Sequence, residues 1–224
     1  MFEYTFELAN GRQLQFAIDP QRAYTGEIDA ADHVEWARLG YHQCPSCPFS
    51  TDQVRHCPVA VDIQPIIDAF ADIASSDEAT VTVRGPEREY KRTCPVQRGL
   101  NSMLGLVMAT SGCPILGRLR HMANFHLPFS TQEETLFRTV GSYLIRQYFV
   151  FRAGGEPDLL LTGLDAQYRE LGEVNTSFAE RIRHAAPNDA SANAVVLFWS
   201  LSFLVNSSLD EQMSEEKGLF ASDV

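Results

Sequence analysis

The chain has 224 residues and a formal charge of −11, from 18 Lys and Arg against 29 Asp and Glu. This acidity argues against nucleic-acid binding and against docking on anionic membranes, because both need clustered cations. An apolar content of 45% gives one domain enough material for a core. The N-terminus lacks the basic and apolar regions of a secretory signal, and the longest nearly apolar stretch, 194–205, is too short to span a bilayer. We therefore expect a cytoplasmic protein.

Two predicted β-hairpins lie in the first part of the chain. Alternating apolar residues flank Asn10-Gly11, a dipeptide that strongly favours a tight hairpin turn because both residues tolerate a positive φ. Phe6 and Leu14 then share one face of the pair. A second alternating pair, 79–84 and 89–92, forms another hairpin or extends the first sheet.

The rest of the chain is predicted to be mainly helical. Apolar residues recur at helical spacing in five segments, over about 95–110, 114–123, 130–154, 158–185 and 189–206. A capping box starts the third helix, either Ser130 with Glu133 or Thr131 with Glu134. The third helix is expected to bury Leu136, Val140, Leu144 and Tyr148. The fourth is expected to bury Leu160, Leu164, Tyr168, Leu171, Val174, Phe178 and Ile182.

These elements predict an α+β fold. A small antiparallel sheet occupies residues 1–92, with a cysteine-rich loop over 42–60, and a helical bundle follows over 93–208. The last residues, 209–224, carry five acidic side chains against one lysine and are expected to form a mobile tail.

The cysteines are the unusual feature of the sequence, because each of the five is followed by proline. Clustered thiols in a reducing cytosol bind metal or do redox work more often than they form disulfides, and an odd number cannot all pair. Cys44 and Cys47 form a Cys-x2-Cys pair, and Cys57 follows in the same loop. Together with Cys113 they suit tetrahedral zinc, with the loop closing on a second element. The predicted ligands are Cys44, Cys47, Cys57 and Cys113, with Cys94 and His56 in reserve.

This site predicts a cytosolic metal-binding protein of regulatory or scaffolding type, in which thiolates join the sheet to the bundle. Zinc is the favoured metal. An iron–sulfur cluster is the less favoured alternative, suggested by Pro48 after the second cysteine of the pair, since proline follows cysteine in some cluster-binding motifs.

Two other functions stay open at this point. Cys94 and Cys113 precede predicted helices, with Pro95 and Pro114 at the first helical position, where the helix dipole lowers the pKa of a thiol. Either thiol would then suit a redox sensor or an enzyme. The other alternative is a metal-free protein-interaction module that uses the acidic tail, 209–224, to bind an unidentified protein partner. The sequence indicates no oligomeric state.

A second group of titratable residues is interpreted as structural. His121, His126, Glu133 and Glu134 could in principle form a metal site or an acid–base pair. The glutamates, however, stand where a helix cap favours acidic residues, and His126 precedes Leu-Pro-Phe in a turn. The sequence contains no Walker loop, dinucleotide fingerprint or Gly-x-Ser-x-Gly motif.

Four motifs carry a resemblance to a known family. They are His42-Gln43-Cys44-x2-Cys47-Pro48, His56-Cys57-Pro58-Val59-Ala60, Ser111-Gly112-Cys113-Pro114, and Phe125-His126-Leu127-Pro128-Phe129 with Glu133-Glu134-Thr135. Together they resemble an uncharacterised bacterial family, a domain of unknown function, over most of the chain. The resemblance implies that Cys44, Cys47, Cys57 and Cys113 belong to the shared pattern. It implies no activity and no catalytic residue.

Overall fold

The computed structural model of the protein describes residues 1–22 and 33–185. The predicted α+β class is confirmed, because a four-stranded antiparallel sheet in the N-terminal part is accompanied by helices that lie mostly C-terminal to it. The predicted fifth helix, 189–206, and the acidic tail, 209–224, lie outside the described residues.

The sheet consists of two hairpins. β1 (Phe2–Leu8) pairs with β2 (Gln13–Ile18), and β3 (Glu78–Arg84) pairs with β4 (Glu89–Pro95). β1 also pairs with β3, so the strand order is β2-β1-β3-β4. Both predicted hairpins are therefore confirmed, and the second extends the first sheet. The first turn places Gly11 at φ 85°, a conformation that glycine adopts without strain.

Five α-helices are described, together with two short 3-10 turns. They are α1 (Pro58–Ala69), α2 (Val96–Ala109), α3 (Arg120–Ala123), α4 (Gln132–Arg152) and α5 (Thr162–Ala185), with 3-10 turns at Glu35–Ala37 and Leu116–Leu119. The predicted helix over 114–123 is thus a 3-10 turn followed by the single α-helical turn of α3. No helix within 1–22 or 33–185 has both the length and the apolar character needed to cross a bilayer.

The core lies between one face of the sheet and the helices. Tyr4, Phe6 and Val81 point into it and are fully buried. α2 comes closest to the sheet at Gly99, where a Cβ would lie 2.6 Å from Cε1 of Phe6 and 2.9 Å from Cγ2 of Val81. The helix can pack at this distance because residue 99 has no side chain. The buried residues of α4 and α5 belong to the same hydrophobic cluster as the sheet.

α4 begins where the sequence predicts but turns a different face inward. Thr131 is the N-cap, and its capping box with Glu134 is complete. The predicted stripe is buried at Leu136 and Val140. The prediction is wrong for Leu144 and Tyr148, which are 37% and 51% exposed.

Two hydrogen bonds explain why the buried stripe passes through other residues in the second half of α4. Tyr143 and Gln147 take the buried positions in the second half of α4. The Tyr143 hydroxyl donates to the Asp158 carboxylate at 2.8 Å, and the backbone N–H of Asp158 donates to Oε1 of Gln147 at 3.0 Å. The connection between α4 and α5 therefore satisfies both polar side chains.

Asp158 also sets the start of α5. Its carboxylate accepts the backbone N–H groups of Thr162 at 3.2 Å and Gly163 at 2.7 Å, as a helix cap does. The helix begins at Thr162, so the predicted burial of Leu160 is wrong, and this side chain is 82% exposed. The other six residues of the predicted seam are buried, namely Leu164, Tyr168, Leu171, Val174, Phe178 and Ile182.

Candidate metal centre

Four of the five cysteines are neighbours in the structure, although they come from three separate segments of the chain. The Cys44 thiol interacts electrostatically with those of Cys47, Cys57 and Cys113. The thiols of Cys57 and Cys113 interact with each other, and each of them also interacts with the thiol of Cys47. All four are free thiols, and each of these residues is partly buried. The four thiols that the spacing of the sequence singles out therefore lie within electrostatic range of one another.

Cys44 and Cys47 are held in a tight turn. The backbone N–H of Cys47 donates to the carbonyl oxygen of Cys44 at 3.0 Å. The side-chain amide of Gln43 donates to the carbonyl oxygen of Phe49 at 2.8 Å and ties the two ends of the turn together. The proline after each cysteine fixes the backbone direction further. The two thiols thus project from a short, constrained loop.

Cys57 stands at the N-cap of α1, with Pro58 at the first helical position. Its backbone N–H donates to the carbonyl oxygen of Ala37 at 2.8 Å, and the preceding residue, His56, forms a β-bridge with Arg38. These contacts fix the start of α1 against the 3-10 turn at Glu35–Ala37. Cys57 is therefore the most firmly placed of the thiols in the cysteine-rich loop.

Cys57 and Cys113 share a local geometry that suits a thiolate. In each, the sulfur accepts backbone N–H groups from the residues two and three positions further on, as the chain begins to turn. Hydrogen bonds from N–H groups favour the ionised form of a thiol. Two sulfurs of the cluster are therefore prepared to carry negative charge.

Burial nevertheless raises the pKa of these thiols. The pKa of Cys44 is raised to about 12, first by burial and then by the neighbouring charge of Cys57. The pKa values of Cys57 and Cys113 are also raised, mainly by burial. Without a metal ion to stabilise thiolates, these three sulfurs are protonated at neutral pH.

The prediction that a helix start lowers the pKa of Cys94 and Cys113 is wrong, because burial raises both values. The prolines also differ from the prediction. Pro95 is the N-cap of α2 rather than its first residue, and Pro114 lies in a turn before the 3-10 turn Leu116–Leu119. The first helical position, which the sequence predicts for Pro95 and Pro114, is instead occupied by Pro58 at the start of α1.

A buried arginine lies beside the cluster. Arg181 on α5 is 1% exposed. Its Nη1 donates to the carbonyl oxygens of Trp36 at 2.6 Å and Arg38 at 2.7 Å. Its Nη2 donates to the carbonyl oxygen of Leu39 at 3.1 Å. One guanidinium therefore fastens α5 to the segment that leads into the cysteine-rich loop.

The charge of Arg181 acts on the thiols. It lowers the pKa of Cys44 and of Cys57, against the larger effect of burial. The ion pairs between described residues do not include Arg181. A buried cation is stabilised by a nearby anion, so thiolates at Cys44 and Cys57 would compensate the charge of Arg181.

Arg181 is not among the site residues that the sequence predicts. A signal was present, because Arg181 follows Val174 and Phe178 at intervals of four and three residues. This spacing places the arginine on the buried side of α5. Only the tertiary structure, however, shows that the buried side faces the cysteines.

The two reserve ligands have other surroundings. Cys94 lies in β4, is buried, and interacts with the charges of Arg92, Arg98 and Glu78 rather than with the other thiols. His56 is buried with its ring 4.9 Å from that of His33 in an edge-on arrangement. Its established contribution is the backbone bridge before Cys57.

Two residues of the histidine and glutamate segment, His126 and Glu134, make defined contacts with the fold. Nε2 of His126 lies 2.5 Å from the Tyr4 hydroxyl, and burial lowers the pKa of this histidine to about 3. Tyr4 also bonds the Ser102 hydroxyl at 2.9 Å. Glu134 closes the capping box of α4. The histidine is therefore a neutral, packed side chain.

The four thiols share a neighbourhood without forming a complete coordination shell. Within residues 1–22 and 33–185, no group of three or more His, Cys, Asp or Glu side chains is arranged to hold a metal ion. Zinc needs all its sulfurs about 2.3 Å from one point. The donor set fits zinc in its chemistry, and side-chain movement would have to bring the sulfurs to that distance.

Fold and site together define an α+β protein with a cluster of four free thiols beside a buried arginine. Over residues 2–221 the chain matches a family described as Domain of unknown function (DUF6901), and it belongs to that family. No curated protein matches the chain. No solved structure matches it either.

Proposed function

We propose that Cys44, Cys47, Cys57 and Cys113 bind one zinc ion, in a cytosolic protein of regulatory or scaffolding type. The observation that carries this proposal is which of the five thiols lie near one another. The four cysteines with ligand-like spacing are mutual neighbours, whereas Cys94 is not. We also propose that these Cys-Pro motifs are the pattern shared by the family.

The charges around the site support zinc binding. Four thiolates around one Zn²⁺ carry a net charge of about −2, which Arg181 reduces by one. The N–H groups that point at the sulfurs of Cys57 and Cys113 stabilise the thiolates further. The raised pKa values of Cys94 and Cys113 favour this function over a low-pKa nucleophile.

The position of the site supports a structural role. Cys44, Cys47 and Cys57 precede or begin α1, whereas Cys113 follows α2. One ion would therefore hold the cysteine-rich loop against the turn after α2. Binding energy at such a site adds directly to the free energy of folding.

Metal analysis of untagged protein, purified in reducing buffer without chelator, tests the proposal. We expect one zinc per chain, loss of zinc in Cys57→Ser, and retention of zinc in the matched control Cys94→Ser. Less than about a tenth of an equivalent of metal, with all five thiols freely titratable, contradicts zinc binding. A brown protein with bound iron would identify an iron–sulfur cluster instead.

Proton release gives an independent test. Because burial keeps Cys44, Cys57 and Cys113 protonated in the metal-free protein, zinc should release at least three protons per ion at neutral pH. Cys94→Ser should release the same number. Zinc that binds with no more than one proton released would show that the thiolates are not the ligands.

A further inference from the structure

The outer face of α4 is apolar in a helix that already buries its opposite side. Besides Phe137 and Val150, its large exposed apolar side chains are Leu144, Ile145, Tyr148, Phe149 and Phe151, of which three are more than 60% exposed. They span an arc of about 160° when successive residues are placed 100° apart. A helix that is apolar on both sides belongs in the interior of an assembly. We call the surface formed by these five side chains and by Gly141 the outer face of α4.

We propose that the outer face of α4 binds the same face of a second copy of this chain, with the two helices antiparallel. The area supports a dimer. The five side chains leave on the order of 550 Å² exposed, if aromatic and large aliphatic residues offer about 200 Å² each. A standard interface buries about 800 Å² per partner, of which somewhat over half is apolar. The outer face alone therefore supplies the apolar part of a stable interface.

The sequence of α4 is complementary to itself in the antiparallel arrangement. A two-fold axis at the level of residue 143 puts Gly141 of one copy opposite Ile145 of the other. Gly141 has nothing within 4 Å of the place of a Cβ, so the space there can receive the isoleucine. A large residue thus meets a small one on both sides of the axis.

The charges at the two ends of the helix agree with the same register. The axis puts Glu134 of one copy opposite Arg152 of the other, and both residues are exposed. In a helix, positions 134, 141, 145 and 152 fall within about 40° of one another, so the charged pair continues the line of the central contact. A parallel pair would instead bring like charges together.

A groove beside the outer face can accommodate side chains of the second copy. It has a volume of about 570 Å³ and lies between α3, α4 and the start of α5. Ile145 and Phe149 line it from α4, and Leu164 lines it from α5. The exposed rings of the second copy can therefore be covered without rearrangement of α4.

Sedimentation equilibrium of the full-length protein over a range of concentrations tests the proposal. We expect wild type to reach twice the chain mass of 25.0 kDa. Ile145→Glu should remain at the mass of one chain, whereas the matched control Leu160→Glu, an exposed apolar residue in the loop after α4, should dimerise like wild type. Circular dichroism would establish that both variants are folded.

A charge exchange tests the orientation. Arg152→Glu should weaken the dimer, and the addition of Glu134→Arg should restore it, although the second change also removes the glutamate of the capping box of α4. A wild-type chain that stays at 25.0 kDa throughout overturns the proposal. If, in that case, Ile145→Glu also lowers the unfolding temperature, the outer face is covered by other residues of the same chain. Equal dissociation by Leu160→Glu would likewise overturn it.

Discussion

Replacing Arg181 by methionine should destabilise the protein even in the absence of metal. Methionine fills much the same space but leaves the carbonyl oxygens of Trp36, Arg38 and Leu39 without the donors they now have. A buried acceptor that loses its partner costs about 1–3 kcal/mol, and the closely spaced carbonyls share some of that cost. We therefore expect the free energy of unfolding to fall by about 3–5 kcal/mol.

Urea unfolding followed by circular dichroism, with chelator and reductant present, measures this loss. Arg183→Met is the matched control, because Arg183 is exposed on the same helix and its removal should change stability by less than about 0.5 kcal/mol. Arg181→Lys should fall between the two, since an ammonium keeps the charge but cannot span all three carbonyls. If Arg181→Met unfolds at the same urea concentration as Arg183→Met, the guanidinium does not hold α5 in place.

Three further predictions concern packing, pH and capping. Gly99→Ala should lower the unfolding temperature, because the new Cβ would press against Phe6. Gly105 has nothing within 4 Å of the place of a Cβ, so Gly105→Ala should raise stability by about 0.5–1 kcal/mol. Equal effects of the two changes would contradict the close approach of α2 to the sheet. Burial lowers the pKa of His126 to about 3, so between pH 6.5 and 3 the unfolded chain binds a proton that the folded chain does not. Stability should therefore fall as the pH drops through this range, and His126→Gln should make urea unfolding less dependent on pH; an unchanged slope would refute this assignment. Asp158→Ala should cost about 1–2 kcal/mol, since the start of α5 loses its cap, and a thermal melt identical to that of wild type would show that the cap contributes nothing.

The features that the sequence predicts correctly depend on neighbours in the chain. The turn at Asn10-Gly11 and the capping box of Thr131 with Glu134 are each specified within a few residues. The seam of α5 is predicted from Leu164 onward for the same reason, since a single helical period fixes it. Such local signals identify the elements of this fold and its class.

The errors arise where side-chain hydrogen bonds, rather than the periodicity of apolar residues, decide the outcome. Leu160 has the spacing of the seam, but Asp158 caps the helix and leaves this residue outside it. Tyr143 and Gln147 turn inward because the α4–α5 connection satisfies their polar groups. No periodicity predicts these bonds. The cysteine spacing singles out four thiols that interact electrostatically in the structure, and the metal ion they would share stays a prediction.

The distance along the chain between Arg181 and the carbonyls it binds has a consequence for biosynthesis. Roughly 70 residues separate Cys113 from Arg181, so the last of the four clustered cysteines is synthesised about 4–14 s before the arginine. During that interval the thiols of the nascent chain have no guanidinium beside them. The loop that carries the first cysteines is therefore fixed in place by a residue from near the other end of the described chain, and it reaches its final arrangement only after α5 has been synthesised.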